Sequence, residues 1–292
     1  MQDDSSVRPA PAGPGFRGPH PDADRKGPLR SLWNLLGPGL VTGAADDDPS
    51  GIATYSQAGA QFGYGLTWSL LLTLPFMAAI QIVSAWIGWR SGAGLARNIR
   101  KALPAPILYV LVVMLVIANT INIAADLAAM GDALRLALGG PSLAYALAFG
   151  LTCVIAEIVI PYHVYAGYLK ITTLVLLVYV AATFSVHIPW GTVLRSLVLP
   201  NVPLERDALL TVVAVFGTTI SPYLFFWQAS QEAEESRLSH RRRIALPPSG
   251  LVLRHISADT WIGMAFSNVI GLFILITAAA TLNQSGVTHI GS

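Results

Sequence analysis

Long apolar runs alternate with short polar joints along most of the chain. The runs are Leu32 to Ala60, which is interrupted, Leu66 to Trp89, Ile107 to Ala129, Leu143 to Ile160, Ile171 to Val186, Leu209 to Ala229 and Trp261 to Leu282. Most reach the ~20 residues that a helix needs to cross ~30 Å of hydrocarbon, and the short fifth run can extend back through Tyr168. A helix satisfies its own backbone groups in lipid, and the runs lack the ~10-residue alternation of a barrel strand. The pattern predicts an all-α, polytopic membrane helix bundle of about seven spans. Ahead of it, residues 1–30 are rich in Pro, Gly, Asp and Arg, with too few apolar side chains to offset the entropy of ordering them. They are expected to be a disordered cytoplasmic tail, too polar for a secretory signal, before a transmembrane domain over 31–292.

Composition narrows the function. Of 292 residues, 53% are hydrophobic and 12% charged, about half the ~25% charge of a soluble domain. The partner of this surface is the lipid bilayer. With 18 Lys+Arg against 16 Asp+Glu, the net charge of +2 provides no field for a nucleic acid. Fifteen of the 18 cationic residues fall in the tail and in the joints after spans two, four and six; only Arg135, Arg195 and Arg206 fall on the other side. That asymmetry predicts a multi-pass protein of the cell (inner) membrane with its amino terminus in the cytoplasm. The single cysteine, Cys153, lies in an apolar run and is expected as a small buried hydrophobe.

Two spans carry helix-breaking polar sequence: Ala45-Asp46-Asp47-Asp48-Pro49-Ser50-Gly51 in the first and Gly217-Thr218-Thr219-Ile220-Ser221-Pro222-Tyr223 in the sixth. Pro49 and Pro222 each remove a backbone donor, and Gly51 and Gly217 relax the chain nearby. Carbonyls freed in this way must line a polar cavity. Because the breaks lie five spans apart, the two helices enter the membrane from opposite sides, as inverted repeats that meet at a midplane site do. The first repeat is placed at about 31–190 and a partial second at about 205–292.

An aspartate near the bilayer centre costs on the order of 3 kcal/mol on insertion scales, so the triplet calls for a cation, a proton or an aqueous cavity. The blander alternatives are a plain kink at Pro222 and a triplet lying in headgroup water. Alternation along a helix places only some of the three inward, with Asp48, beside the proline, in the site and Asp47 as a pathway candidate. Asp48, freed carbonyls near Ala45 and Thr218, and the hydroxyls of Thr218 and Ser221 make a hard, all-oxygen set suited to Mg²⁺, Ca²⁺ or Mn²⁺.

These residues resemble the NRAMP family of divalent-metal transporters. The likeness rests on Gly37-Pro38-Gly39, on Asp48-Pro49-Ser50-Gly51-Ile52-Ala53-Thr54, on Gln57-Ala58-Gly59-Ala60-Gln61-Phe62-Gly63-Tyr64, and on Ala125-Asp126-Leu127-Ala128 in span three. It implies a LeuT-type inverted-repeat fold and uptake into the cytoplasm, usually of Mn²⁺ or Fe²⁺ with protons. The metal is then cargo, and no cofactor is expected. Asp48 matches the family's first ligand, Gly51 stands where a ligand Asn would be, and Thr218 matches a carbonyl-donating position. Ser221 replaces the family's thioether, which weakens the preference for transition metals over hard ions. Tyr223 and Gln228 stand in for two histidines, and Ala129 for an acid, leaving Asp126 as the proton candidate of that region. These departures resemble the family's magnesium-associated branch. A two-by-five repeat needs about ten spans, so the chain is expected to be C-terminally incomplete.

Other polar residues have plainer expectations. Glu157 reads as a hydrogen-bonded interior carboxyl, Asn119 and Asn122 as helix-to-helix links, and Glu232, Glu234 and Glu235 as part of a solvated charged joint. The function expected is transport of Mg²⁺/Mn²⁺-type ions into the cytoplasm by alternating access, with proton coupling open. A Na⁺-coupled organic-solute symporter is the alternative within the same fold, but the aspartate triplet repels a substrate carboxylate. A Mg²⁺-dependent membrane enzyme acting on diphosphates would need a second acidic motif, which span six does not offer. The chain is therefore read as a non-enzyme, of open oligomeric state.

Overall fold

The computed structural model describes residues 42–43, 45–160, 173–200, 205–241 and 249–290, and among these every regular element is helical. The expected tail over 1–30 lies outside the described residues. Residues 42, 43, 45 and 46 are helical, the chain leaves the helix at Asp47 and Asp48, and α1 (Pro49–Phe62) begins. A 3-10 turn leads to α2 (Thr67–Ser91), followed by α3 (Leu95–Ala102), α4 (Ala105–Leu138) and α5 (Ser142–Val159). Then come α6 (Leu177–Phe184), α7 (Trp190–Val198), α8 (Arg206–Thr219), α9 (Pro222–Arg241) and α10 (Ser249–Ala278).

Among the described residues, five stretches are long and apolar enough to cross a membrane: Pro49–Ser91, Ala105–Leu138, Ser142–Val159, Arg206–Arg237 and Gly250–Asn283, with Thr173–Phe184 shorter. The first of these holds α1 and α2, two of the seven expected spans. Each apolar run therefore carries a described helix, the fifth only from Thr173 onward.

The helices form an inner and an outer group. Of the apolar window in α10, 61% is buried, against 6% in α4 and none in α5. α10 packs on α1, α2 and α6, while α9 lies along α2. Tyr55, Leu66, Leu70, Val215, Ile270 and Leu275 form the core between α1, α2, α8 and α10. α4 and α5 pack on each other and turn Val110, Met114, Ile117, Ile121, Leu147 and Leu151 outward, away from the described bundle. Two expectations fail on this outer group: Cys153 and Glu157 are both exposed rather than interior. An apolar run looks the same whether its neighbours are side chains or lipid.

Close helix contact in lipid depends on small residues. A Cβ on Gly88 would fall 2.1 Å from the Ala229 carbonyl oxygen, and one on Gly59 would fall 2.3 Å from that of Leu275. Gly43 meets Gly263 in the same way. The first span therefore runs alongside α10 in register: Gly43 beside Gly263, Asp46 and Asp47 beside Ser267, Tyr55 beside Gly271, Gly59 beside Leu275. Between Asp47 and Tyr55 the first span advances eight positions while α10 advances four, from Ser267 to Gly271. The excess is the unwound segment, which turns aside from α10 towards α4 and α9.

The two ends of the bundle are tied by different contacts. Arg237 donates to the Gly92 carbonyl, tying α9 to the joint that carries Arg97, Arg100 and Lys101. At the opposite end Asn283 Nδ2 donates to the Ala60 carbonyl at 2.8 Å, and Gln57 bonds both Thr288 and Ile290 of the segment after α10.

Candidate metal site

Both expected breaks are present. Asp48 is extended (φ −73°, ψ 168°) and caps α1, with Pro49 as the first helical residue, where a missing N–H is no loss. α8 ends at Thr219 and α9 begins at Pro222, leaving Ile220 and Ser221 outside both helices. The sixth span is therefore interrupted, not merely kinked.

The Asp48 carboxylate is half-buried and fully engaged. Its Oδ1 accepts from the Gly51 backbone N–H at 2.7 Å and lies 2.8 Å from Ser50 Oγ, whose one proton also has Asn122 Oδ1 within reach at 2.7 Å. Its Oδ2 accepts from Asn122 Nδ2 at 2.8 Å and from the Tyr223 hydroxyl at 3.2 Å. Tyr223 also reaches the Ala45 carbonyl at 3.1 Å, so one phenol bridges both halves of the first span to the start of α9. Asp126 joins from α4: its Oδ1 accepts from the Ser50 N–H at 3.1 Å and its Oδ2 from Asn122 Nδ2 at 3.4 Å.

Oxygen atoms from both breaks converge on Gly51. The point a Cβ would occupy there lies 3.2 Å from the Asp46 carbonyl oxygen, 3.3 Å from Asp48 Oδ1 and 3.4 Å from Thr218 Oγ1. Gly51 thus leaves open a small space between a carboxylate, a carbonyl and a hydroxyl, and its N–H holds the carboxylate in place. The Thr218 carbonyl, in contrast, accepts from Ser221 Oγ at 2.5 Å, which closes the end of α8. A cleft of about 530 Å³ opens between α1 and α8, lined by Thr54, Gln57, Gln61, Leu210, Thr211 and Ala214.

The other two aspartates are not in headgroup water, nor does only part of the triplet face inward. Asp46 and Asp47 are 1% and 5% exposed, and each accepts from the Ser267 hydroxyl, at 3.0 and 3.3 Å. Consecutive residues on a continuous helix point about 100° apart; unwinding at Asp47 removes that constraint. Among the described residues, no group of three or more His, Cys, Asp or Glu side chains is placed to hold one ion, so the triplet divides. Gln228 is buried further along α9 and donates to Thr260 Oγ1 at 3.1 Å, away from the Asp48 network.

Sequence reasoning missed Tyr223 as a partner of Asp48, reading it only as a lost histidine. It also missed Ser267, whose isolated hydroxyl in an apolar helix carries no signal of its own. Asn122, expected as a helix-to-helix link, does join α4 to the first span through Asp48.

A helical membrane bundle in which an acid-bearing break in the first span meets a second break in the sixth defines a class, the LeuT-type inverted-repeat membrane proteins. Within that class the chain belongs to the Nramp family: residues 39–292 match the model described as natural resistance-associated macrophage protein-like. It is 29% identical over 263 residues to the divalent metal cation transporter MntH of Verminephrobacter eiseniae, covering 87% of this chain and 57% of that one. It is 28% identical over 284 residues to MntH of Yersinia pestis, covering 92% and 64%. The fold matches the manganese transporter of Eremococcus coleocola, crystallised with an aromatic bis-isothiourea compound, with a TM-score of 0.72 at 19% identity, over 87% of this chain and 53% of that one. The chain thus spans about three-fifths of the length of the curated relatives it matches.

Proposed function

We propose that this chain carries the substrate-binding half of a divalent metal cation transporter. It takes Mg²⁺/Mn²⁺-type ions into the cytoplasm by alternating access, and the breaks in the first and sixth spans form its ion site. The observation that carries the reading is the convergence of the Asp48 carboxylate, the Asp46 carbonyl and the Thr218 hydroxyl on the space beside Gly51. These donors are hard oxygens drawn from both breaks. Such a set suits Mg²⁺ and Mn²⁺ alike, and with Ser221 turned back to its own helix no soft ligand selects against Mg²⁺.

Alternating access follows from the mechanics of half-helices. Both breaks leave chain that can hinge without losing helical hydrogen bonds, so the inner and outer halves can move separately about a fixed ion. Asp126 is held to Asp48 through Asn122 and Ser50, which makes it the group best placed to take up a proton if the metal moves with one. The clustering of Arg97, Arg100, Lys101 and Arg237 at one end supports a cytoplasmic amino terminus in a cell (inner) membrane.

The test is uptake into liposomes of the full chain, following Mg²⁺, Mn²⁺ and Ca²⁺ with indicator dyes and internal pH in parallel. The reading expects Asp48→Ala to abolish uptake of all three. Uptake unchanged by that substitution rejects the site, and a fall in internal pH in step with the metal establishes proton coupling.

A further inference from the structure

Asp46 and Asp47 are more deeply buried than Asp48, yet far less well partnered. A single hydroxyl, Ser267 Oγ, lies within hydrogen-bonding distance of both carboxylates, and its one proton can satisfy only one of them at a time. Asp46 Oδ1 and Asp47 Oδ2 have no partner at all. Two carboxylates converging on one hydroxyl, with their outer oxygens orphaned in the interior of a membrane bundle, lack a positive charge. No Lys, Arg or His side chain bonds either of them among the described residues.

We propose that Asp46, Asp47 and Ser267 form a second cation site, distinct from the one at Asp48, that holds a divalent ion between the two carboxylates, with the Ser267 hydroxyl as a further oxygen donor. The two carboxylates match the charge of one divalent ion, and the donor set is again all oxygen. The ion class rests on the transport reading above, whereas the geometry of the pair does not. The two sites share one unwound turn of chain: the Asp46 side chain serves the second while its carbonyl faces the first. An ion at one therefore repels an ion at the other, and the pair works as a two-stage path in which an arriving ion loosens its predecessor.

The experiment is a Mn²⁺ titration of the purified full chain in nanodiscs, with free Mn²⁺ read by electron paramagnetic resonance. The expected stoichiometry is two ions per chain, falling to one in D46N/D47N and to one in D48N. Ser267→Ala is expected to keep two ions but weaken one of them several-fold, and this milder variant carries the test if D46N/D47N does not elute as a monodisperse species. A wild-type chain that binds one ion, lost in D48N, overturns the second site and leaves the transport reading intact. One ion lost in D46N/D47N but kept in D48N supports the second site and rejects the first. An unchanged titration in both D46N/D47N and Ser267→Ala overturns the proposal, and a wild-type chain that binds no Mn²⁺ overturns both readings.

Discussion

Asp48 and its two predecessors are adjacent in sequence and opposite in circumstance. Asp48 is half-buried with four donor groups from α1, α4 and α9 within hydrogen-bonding distance, while Asp46 and Asp47 are nearly inaccessible and share one hydroxyl from α10. The difference arises from one unwound turn. At Gly43 and Asp46 the chain lies against α10; after Asp47 it turns aside, and Asp48 becomes the cap of a new helix facing α4 and α9. A run of acidic residues thus divides into a preorganised ligand, held by donors that would keep orienting it around an ion, and a buried pair whose outer oxygens have no partner.

The largest effect that sharpens this contrast is expected at Asp48. Replacing an N-cap Asp by Ala removes about 1 kcal/mol of helix stability, whereas Asn caps as well as Asp. Asp48→Asn should therefore keep the wild-type melting temperature while losing Mn²⁺ uptake by about 100-fold or more. A large fall in melting temperature in Asp48→Asn would show instead that the carboxylate mainly holds the fold.

Next come the groups that orient Asp48. Tyr223→Phe and Asn122→Ala each remove one donor from Oδ2, and loss of such a partner typically weakens a metal site by about 10- to 100-fold. Mn²⁺ affinity at Asp48 by calorimetry should fall by that factor in each, with the ion at Asp46 and Asp47 not weakened. Equal weakening of both ions would erase the distinction between the two groups.

The smallest effect is expected at Gly51. A Cβ there meets three oxygens at 3.2–3.4 Å, tight but not prohibitive, so Gly51→Ala should lower Mg²⁺ and Mn²⁺ uptake several-fold without unfolding the protein. Liposome uptake rates measured on both ions check this, and an unchanged rate would place the ion elsewhere.

Much of this was legible in the chain itself. Pro49 and Pro222 mark both breaks to within a residue, because a missing donor in lipid has few acceptable positions. Asp48 was legible for the same reason, as the residue before a helix-starting proline. The inward turn of Asp46 and Asp47 was not, since counting faces assumes a continuous helix and the helix stops among them. Tyr223 was hidden because its role depends on the first span lying opposite it, a contact across 175 positions that no local pattern encodes. The exposure of Cys153 and Glu157 was hidden for another reason: hydropathy reports that a helix lies in a dry medium, not whether that medium is protein or lipid.

The most direct test of the central claim is the position of a bound ion. Anomalous scattering from crystals of the full chain grown with Mn²⁺ should place a peak between the breaks, in contact with the Asp48 carboxylate and Thr218, and the peak should vanish in Asp48→Asn. A strong peak elsewhere, with Asp48 still bonded to Asn122 and Tyr223 and no ion beside Gly51, would contradict the account.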